Sequence, residues 1–76
     1  MMKQYKNLTG TSGVTAYEES SDGISIEFNH EAVYLYTYSS AGKRAIEKMK
    51  KLAGAGKGLS TYISQHIQDK YESKIK

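Results

Sequence analysis

Apolar and polar residues alternate most regularly in the first half of the chain. Residues 24–28 read Ile-Ser-Ile-Glu-Phe, and residues 32–38 are rich in aromatic and apolar side chains. Because successive side chains of a strand point to opposite faces, the first segment predicts a half-buried strand. The second segment predicts a strand that is apolar on both sides. Residues 14–17 predict a shorter strand ahead of these two.

The spacing of the tyrosines gives the last of these strands an aromatic face. Tyr34, Tyr36 and Tyr38 are two residues apart, so a strand over 32–38 places three phenol rings on one side and Val33 and Leu35 on the other. The ring face is either half of a small core or a platform on which bases stack. The sequence leaves both alternatives open.

The hairpin between these two strands has two candidate registers. A two-residue turn pairs Phe28 with Val33, whereas a three-residue turn pairs Ile26 with Tyr34. The longer turn requires Glu31 near the left-handed conformation, which ordinarily favours glycine. A shift of one residue moves the tyrosines to the other face of the sheet.

A helical period replaces the alternation in the second half of the chain. Ser39-Ser40 is a candidate N-cap, and a glycine-rich segment at 54–58 is expected to end the first helix. A second helix is predicted from Leu59 or Ser60, and the tail at 74–76 is expected to fray. The apolar face of the first helix comprises Ala45, Ile46, Met49, Leu52 and Ala53. That of the second comprises Leu59, Tyr62, Ile63, His66, Ile67 and Tyr71.

These elements predict an α+β fold in the order β-β-β-α-α. A three-stranded antiparallel meander is followed by two helices packed on one face. Residues 1–13 contain turn-forming residues without an apolar period and predict a flexible arm. Residues 14–76 form a single domain.

Composition narrows the function classes. The 76 residues include no cysteine, so disulfides and thiolate metal sites are excluded, and stability must come from apolar packing or self-association. No signal peptide or membrane-spanning run is visible in the sequence, which predicts a soluble cytoplasmic protein without a membrane partner. The oligomeric state stays open.

Positive charge is concentrated in the second half. Nine of the eleven basic residues follow residue 42, together with three of the eight acidic residues. This segregation predicts a positively charged helical side that faces an acidic partner.

No motif specifies catalysis. The glycine-rich segment lacks the phosphate-loop pattern because Lys57 is followed by Gly58 rather than by serine or threonine. Ser39, His66 and Asp69 could in principle form a hydrolytic set, but no nucleophile turn accompanies them. The two histidines, His30 and His66, lack the spacing of a zinc site. We therefore expect no enzyme activity, no cofactor and no metal.

The candidate site combines rings with cations. Tyr34, Tyr36 and Tyr38 would stack bases of RNA or single-stranded nucleic acid. The cations that would meet phosphates are Lys43, Arg44, Lys48, Lys51 and Lys57. Lysines on a helix can instead serve solubility alone. A further alternative is a protein-interaction module, such as a small bacterial or phage protein that occludes a larger nucleic-acid-handling complex.

These segments together resemble the KTSC domain. That short domain stands at the C-terminus of some lysyl-tRNA synthetases and also alone in bacteria, and a central Tyr-x-Tyr marks it. The matching segments are residues 14–17, 24–28, Tyr34-Leu35-Tyr36, 53–56 and Ile63. The family ordinarily has Asn-Gly in the hairpin turn, where this chain has His30-Glu31. The resemblance favours the three-residue turn, and it implies RNA binding only as a suggestion, because the family has no established activity.

Overall fold

The computed structural model describes residues 2–8, 10 and 13–76, and it is an α+β fold built on an antiparallel sheet. The strands are β1 (Lys3–Gln4), β2 (Val14–Ser20), β3 (Gly23–Phe28), β4 (Ala32–Thr37) and β5 (Ser73–Lys74). The helices are α1 (Tyr38–Ala41), α2 (Lys43–Ala55) and α3 (Leu59–Tyr62), which continues into a π-helical turn (Ile63–Ile67). The strand order is β1-β2-β3-β4-β5, so the described sheet has five strands where three were predicted.

The pairing of β3 with β4 decides the hairpin register. Ile26 lies opposite Tyr34 and Ile24 lies opposite Tyr36, which confirms the three-residue turn. The left-handed residues are Asn29 (φ 55°) and His30 (φ 57°), so the expectation of a left-handed Glu31 was wrong. The amide of Glu31 instead donates to the carbonyl of Phe28 at 3.0 Å and closes the turn.

One face of the sheet carries the core. Ile24, Ile26 and Tyr36 are at most 2% exposed, because the helices cover this side. The helical layer contributes the buried side chains of Ile46, Met49, Ala53, Leu59, Ile63 and Ile67. A chain of this size buries a modest share of its surface, so each of these contacts matters for stability.

The segment before residue 8 packs against the rest of the fold, at the place where a flexible arm was predicted. Lys3–Gln4 pairs with β2, and Tyr5 is 3% exposed. The hydroxyl of Tyr5 accepts the amide of Leu59 at 3.4 Å, which ties this segment to the start of α3. The part of the predicted arm at Met1, Thr9, Thr11 and Ser12 lies outside the described residues.

The first helical segment starts earlier than predicted, is broken at Gly42, and ends within the predicted glycine-rich segment. Thr37 caps α1, since its hydroxyl accepts the amide of Ser40 at 3.2 Å while the Ser40 hydroxyl accepts the Thr37 amide at 3.0 Å. The helix therefore begins at Tyr38, earlier than the predicted Ser39-Ser40 cap allows. Gly42 separates α1 from α2, and α2 runs through Gly54 to a left-handed cap at Gly56 (φ 78°).

The C-terminal residues are paired rather than frayed. The amides of Glu72 and Ile75 donate to the carbonyls of Leu35 and Val33, so β5 covers the free edge of β4. The predicted second helix ends at Ile67, several residues before Tyr71. None of the helices in the described part of the chain is long and apolar enough to cross a bilayer.

Candidate functional site

An aromatic cleft of about 490 Å³ lies between the helix-covered face of the sheet and the α3–π-turn segment. Its rings are those of Phe28, Tyr34, Tyr36 and Tyr71. Its polar side chains are those of Asn29, Glu31, Ser60, Ser64 and Gln68. The volume falls in the range of roughly 300–1,000 Å³ that small-molecule sites occupy, and rings with a few amides and hydroxyls are the usual lining of such sites.

Tyr34 is the ring that joins the others. Its centroid lies 5.8 Å from that of Phe28 in an edge-on arrangement and 4.8 Å from that of Tyr71 at a tilt of 52°. Tyr36 meets Tyr71 edge-on at 6.3 Å. These separations lie within the range at which aromatic pairs attract each other.

Tyr34 and Tyr36 share one face of β4, but they are buried to different degrees. Tyr36 is 2% exposed and belongs to the core, whereas Tyr34 is half-buried and packs against the core from the cleft. Burial, reinforced by the neighbouring phenols of Tyr34 and Tyr71, raises the pKa of Tyr36 to about 12. Of the two strand tyrosines, Tyr34 is thus the one that offers a ring to a ligand.

Tyr38 lies outside the cleft. It starts α1 instead of ending β4, so its ring leaves the row predicted for the strand. Its hydroxyl donates to the carboxylate of Glu47 at 2.7 Å, a hydrogen bond that raises the pKa of Tyr38. The ammonium of Lys50 lies 5.8 Å from the ring centroid and donates to the carbonyl of Ser20 at 2.8 Å. Tyr38 therefore ties α1 to α2 beside the β2–β3 turn.

The predicted phosphate contacts lie on the outside of the helical layer. Lys43, Arg44, Lys48 and Lys51 are exposed, and the helical period places them opposite the buried Ile46, Met49 and Ala53 of α2. Lys57 is exposed between α2 and α3. Among the residues that the structure describes, no lysine or arginine lines the cleft. A cation does lie beside it, because the ammonium of Lys74 is 5.9 Å from the Tyr34 ring centroid.

Sequence reasoning missed two rings and a helical irregularity. The sequence pattern places Phe28 at the end of a strand and Tyr71 on a helix, yet both contact Tyr34. The confirmed register could have indicated Phe28, because it places residues 28, 26 and 24 on the tyrosine face. The π-turn, a feature often found at functional sites, has no signal that we recognise in the sequence.

The histidines and acids form no metal site within the described residues. His66 was expected at the rim of the core, but it is exposed and its ring lies 4.9 Å from that of Tyr62. The cleft instead suits a planar ring that packs on an aromatic side chain and is met at its edge by amide and hydroxyl groups.

Comparisons with protein-family models, with curated proteins and with solved structures found no match to this chain.

Proposed function

We propose that this protein is a small, non-enzymatic module that binds single-stranded nucleic acid, RNA in the first place. One unpaired base stacks on Tyr34 inside the cleft. The observation that carries the proposal is the half-buried Tyr34 ring, which the fold holds in an open, ring-lined cleft rather than in the core. Stacking of this kind tolerates every base, because each base has an aromatic face.

The polar side chains of the cleft support a ligand with a hydrogen-bonding edge. Asn29 offers a donor and an acceptor, and Ser60 and Ser64 add hydroxyls. A base that stacks on a ring and presents its edge to amides is the usual arrangement in recognition of single-stranded RNA.

The cations support contact with the phosphates that flank this base. Lys43, Arg44, Lys48 and Lys51 point away from the sheet on the helix that covers it, and Lys57 follows them in the chain. In this arrangement a single strand runs from the cleft across the outside of the helical layer. Tyr36 and Tyr38 have supporting roles, in the core and at the start of α1.

A titration with a short single-stranded RNA at low and at high salt tests the proposal. Tyr34→Ala should weaken binding by about tenfold, since stacking is worth about 1–3 kcal/mol per base. Tyr62→Ala is the matched control, because Tyr62 is also half-buried against the core but does not line the cleft. Absence of binding at low salt would overturn the proposal, as would equal losses in the two variants.

The salt dependence tests the cations separately. Each phosphate that a protein neutralises on a single strand adds about 0.7 to the slope of log K against log salt. The double variant Lys48→Ala/Lys51→Ala should therefore reduce this slope by about 1.4. Lys3→Ala removes an exposed lysine from β1 and should leave the slope unchanged. A slope that Lys3→Ala alters as much as the double variant does would show that α2 has no special part in binding.

The proposal also includes a distant relationship to the KTSC domain and a cytoplasmic location. Tyr34 and Tyr36 of β4, followed by helices, agree with the order of elements in that domain. These features support the relationship, and the suggestion of RNA binding for that family agrees with the site proposed here.

A second candidate function is binding of a protein partner through the same cleft. It is favoured by the lack of lysine and arginine among the described lining residues and by the presence of Glu31 there. Such a lining suits the neutral aromatic side chain of a larger nucleic-acid-handling complex. A stoichiometric partner that remains bound after nuclease treatment, and is released by Tyr34→Ala, would favour this candidate over RNA.

A further inference from the structure

The C-terminal residues 68–76, here called the strap, bring their own ring to the proposed base site. Tyr71 packs against Tyr34 with 4.8 Å between ring centroids at a tilt of 52°, and its side chain is 41% exposed. Phe28, the other ring neighbour of Tyr34, belongs to a strand of the central sheet, whereas Tyr71 lies between the π-turn and β5, outside any helix or strand.

The strap is attached by few contacts. Every residue from 68 to 76 is exposed, so the strap buries little apolar surface. Its attachments include backbone hydrogen bonds to Val33 and Leu35 and one side-chain bond, in which the Thr37 hydroxyl donates to the Glu72 carboxylate at 2.7 Å. Segments with few buried contacts and exposed hydrogen bonds open at a small fraction of the global unfolding free energy.

We infer that Tyr71 is a built-in competitor, which packs against the Tyr34 ring until an unpaired base displaces it and the strap detaches from β4. This inference rests on the proposed function and names the regulation of that site. A base can stack on this side of Tyr34 only when Tyr71 has left, so the two rings exclude each other. The same contact that completes the cleft in the free protein therefore lowers its affinity for RNA.

The size of the effect follows from the open fraction of the strap. When only part of the molecules is competent to bind, the apparent dissociation constant rises by the inverse of that fraction. For a strap that is open in about 3–30% of molecules, removal of the competitor tightens binding by about threefold to thirtyfold.

Two substitutions at Tyr71 provide the affinity test with a short single-stranded RNA. Tyr71→Ala removes the competing ring and should tighten binding by that factor. Tyr71→Phe keeps the ring and should bind as the unaltered protein does. Adding Tyr34→Ala to Tyr71→Ala should abolish the gain, because the base then has no ring to stack on. Glu72→Ala, which loosens the strap by removing the acceptor of the Thr37 hydroxyl and leaves that hydroxyl to accept the Ser40 amide, should also tighten binding.

Amide hydrogen exchange distinguishes competition from a structural role, because a structural role of Tyr71 would not change exchange rates in the strap when RNA is added. The amides of Glu72 and Ile75, which bond to β4, should exchange faster when RNA is added, because the base releases the strap. Slower exchange, or weaker binding by Tyr71→Ala, would show that Tyr71 closes over the base and would overturn the inference. Binding unaffected by Tyr71→Ala would overturn the inference alone. If neither the unaltered protein nor Tyr71→Ala binds RNA, both the proposed function and this inference are overturned.

Discussion

The two ends of the tyrosine face of β4 are built differently, although they are two residues apart. At the closed end Tyr36 is 2% exposed, next to the point where the chain turns into the helices. At the open end Tyr34 is half-buried, near the hairpin turn and the cleft. Identical side chains on one strand face are thus buried in the core at one end and only partly buried beside the cleft at the other.

The backbone at the closed end is packed too tightly to accept a side chain at Gly23. Gly23 lies opposite Thr37, and a Cβ at Gly23 would collide with the carbonyl oxygen of Tyr36. The open end is bordered by the short α3 and its π-turn, which present Ser60 and Ser64 along with Ile63 to the cleft. The helical layer therefore buries Tyr36 and leaves the cleft open beside Tyr34.

The largest expected effect is the difference between truncating the two tyrosines. Tyr36→Ala should lower the free energy of unfolding by about 3–5 kcal/mol, because it leaves a cavity in the core. Tyr34→Ala should cost about 1–2 kcal/mol, since its side chain is only partly buried. Urea denaturation with comparison of midpoints and slopes measures both values. Equal losses would mean that the two ends of the face do not differ energetically.

The next effect depends on pH and concerns Tyr36. Its pKa is about 12 in the folded protein, above the ordinary value of 10.0, because burial disfavours the phenolate. The folded state therefore binds this proton more tightly than the unfolded state does. The resulting stability is complete below pH 10 and is lost as the pH rises from about 10 to about 12. Urea midpoints at stepped alkaline pH should fall more steeply for the unaltered protein than for Tyr36→Phe, and parallel curves would contradict this assignment.

The sequence predicted the strands and the helix in which apolar residues recur at a regular spacing. The alternation at 24–28 and 32–37 located β3 and β4, and the spacing of Ile46, Met49 and Ala53 located α2. β1 and β5 have two residues each, so neither is long enough to show alternation. Their positions depend on contacts with residues distant in the chain, such as Leu35 with Glu72.

The candidate site was predictable only where its residues follow the regular spacing of a strand. Tyr34 followed from the strand period, but its separation from Tyr38 did not, because the threonine cap at Thr37 ends the strand before the third tyrosine. Tyr71 reaches Tyr34 through the pairing of β5, which no local pattern indicates.

A smaller effect concerns the cap that ends the tyrosine row at the closed end. Thr37→Val removes the hydroxyl that accepts the Ser40 amide and donates to Glu72, and it should cost about 1–2 kcal/mol, as loss of an N-cap does. Thr37→Ser keeps the hydroxyl and should recover most of this loss. Thermal unfolding of the three proteins measures the difference. If Thr37→Ser proved as unstable as Thr37→Val, the methyl group rather than the cap would be responsible.

The smallest effect concerns the hairpin turn at the open end. His30 has a left-handed backbone (φ 57°), which costs a residue with a side chain more than it costs glycine. Its amide donates to the hydroxyl of Thr15 at 3.1 Å, a bond that glycine keeps. His30→Gly should therefore stabilise the protein by about 0.5–1 kcal/mol, the relief of strain exceeding the added entropy of the unfolded chain.

Glu31→Gly is the matched control for this turn. Glu31 lacks a positive φ, so glycine there relieves no strain and should destabilise the protein slightly through the unfolded state. Urea midpoints that move in opposite directions would assign the strain to His30. A gain with Glu31→Gly instead would place the left-handed position one residue later. Because Asn29 lines the cleft, RNA affinity measured on His30→Gly would then show whether a firmer turn changes access to Tyr34 at the open end.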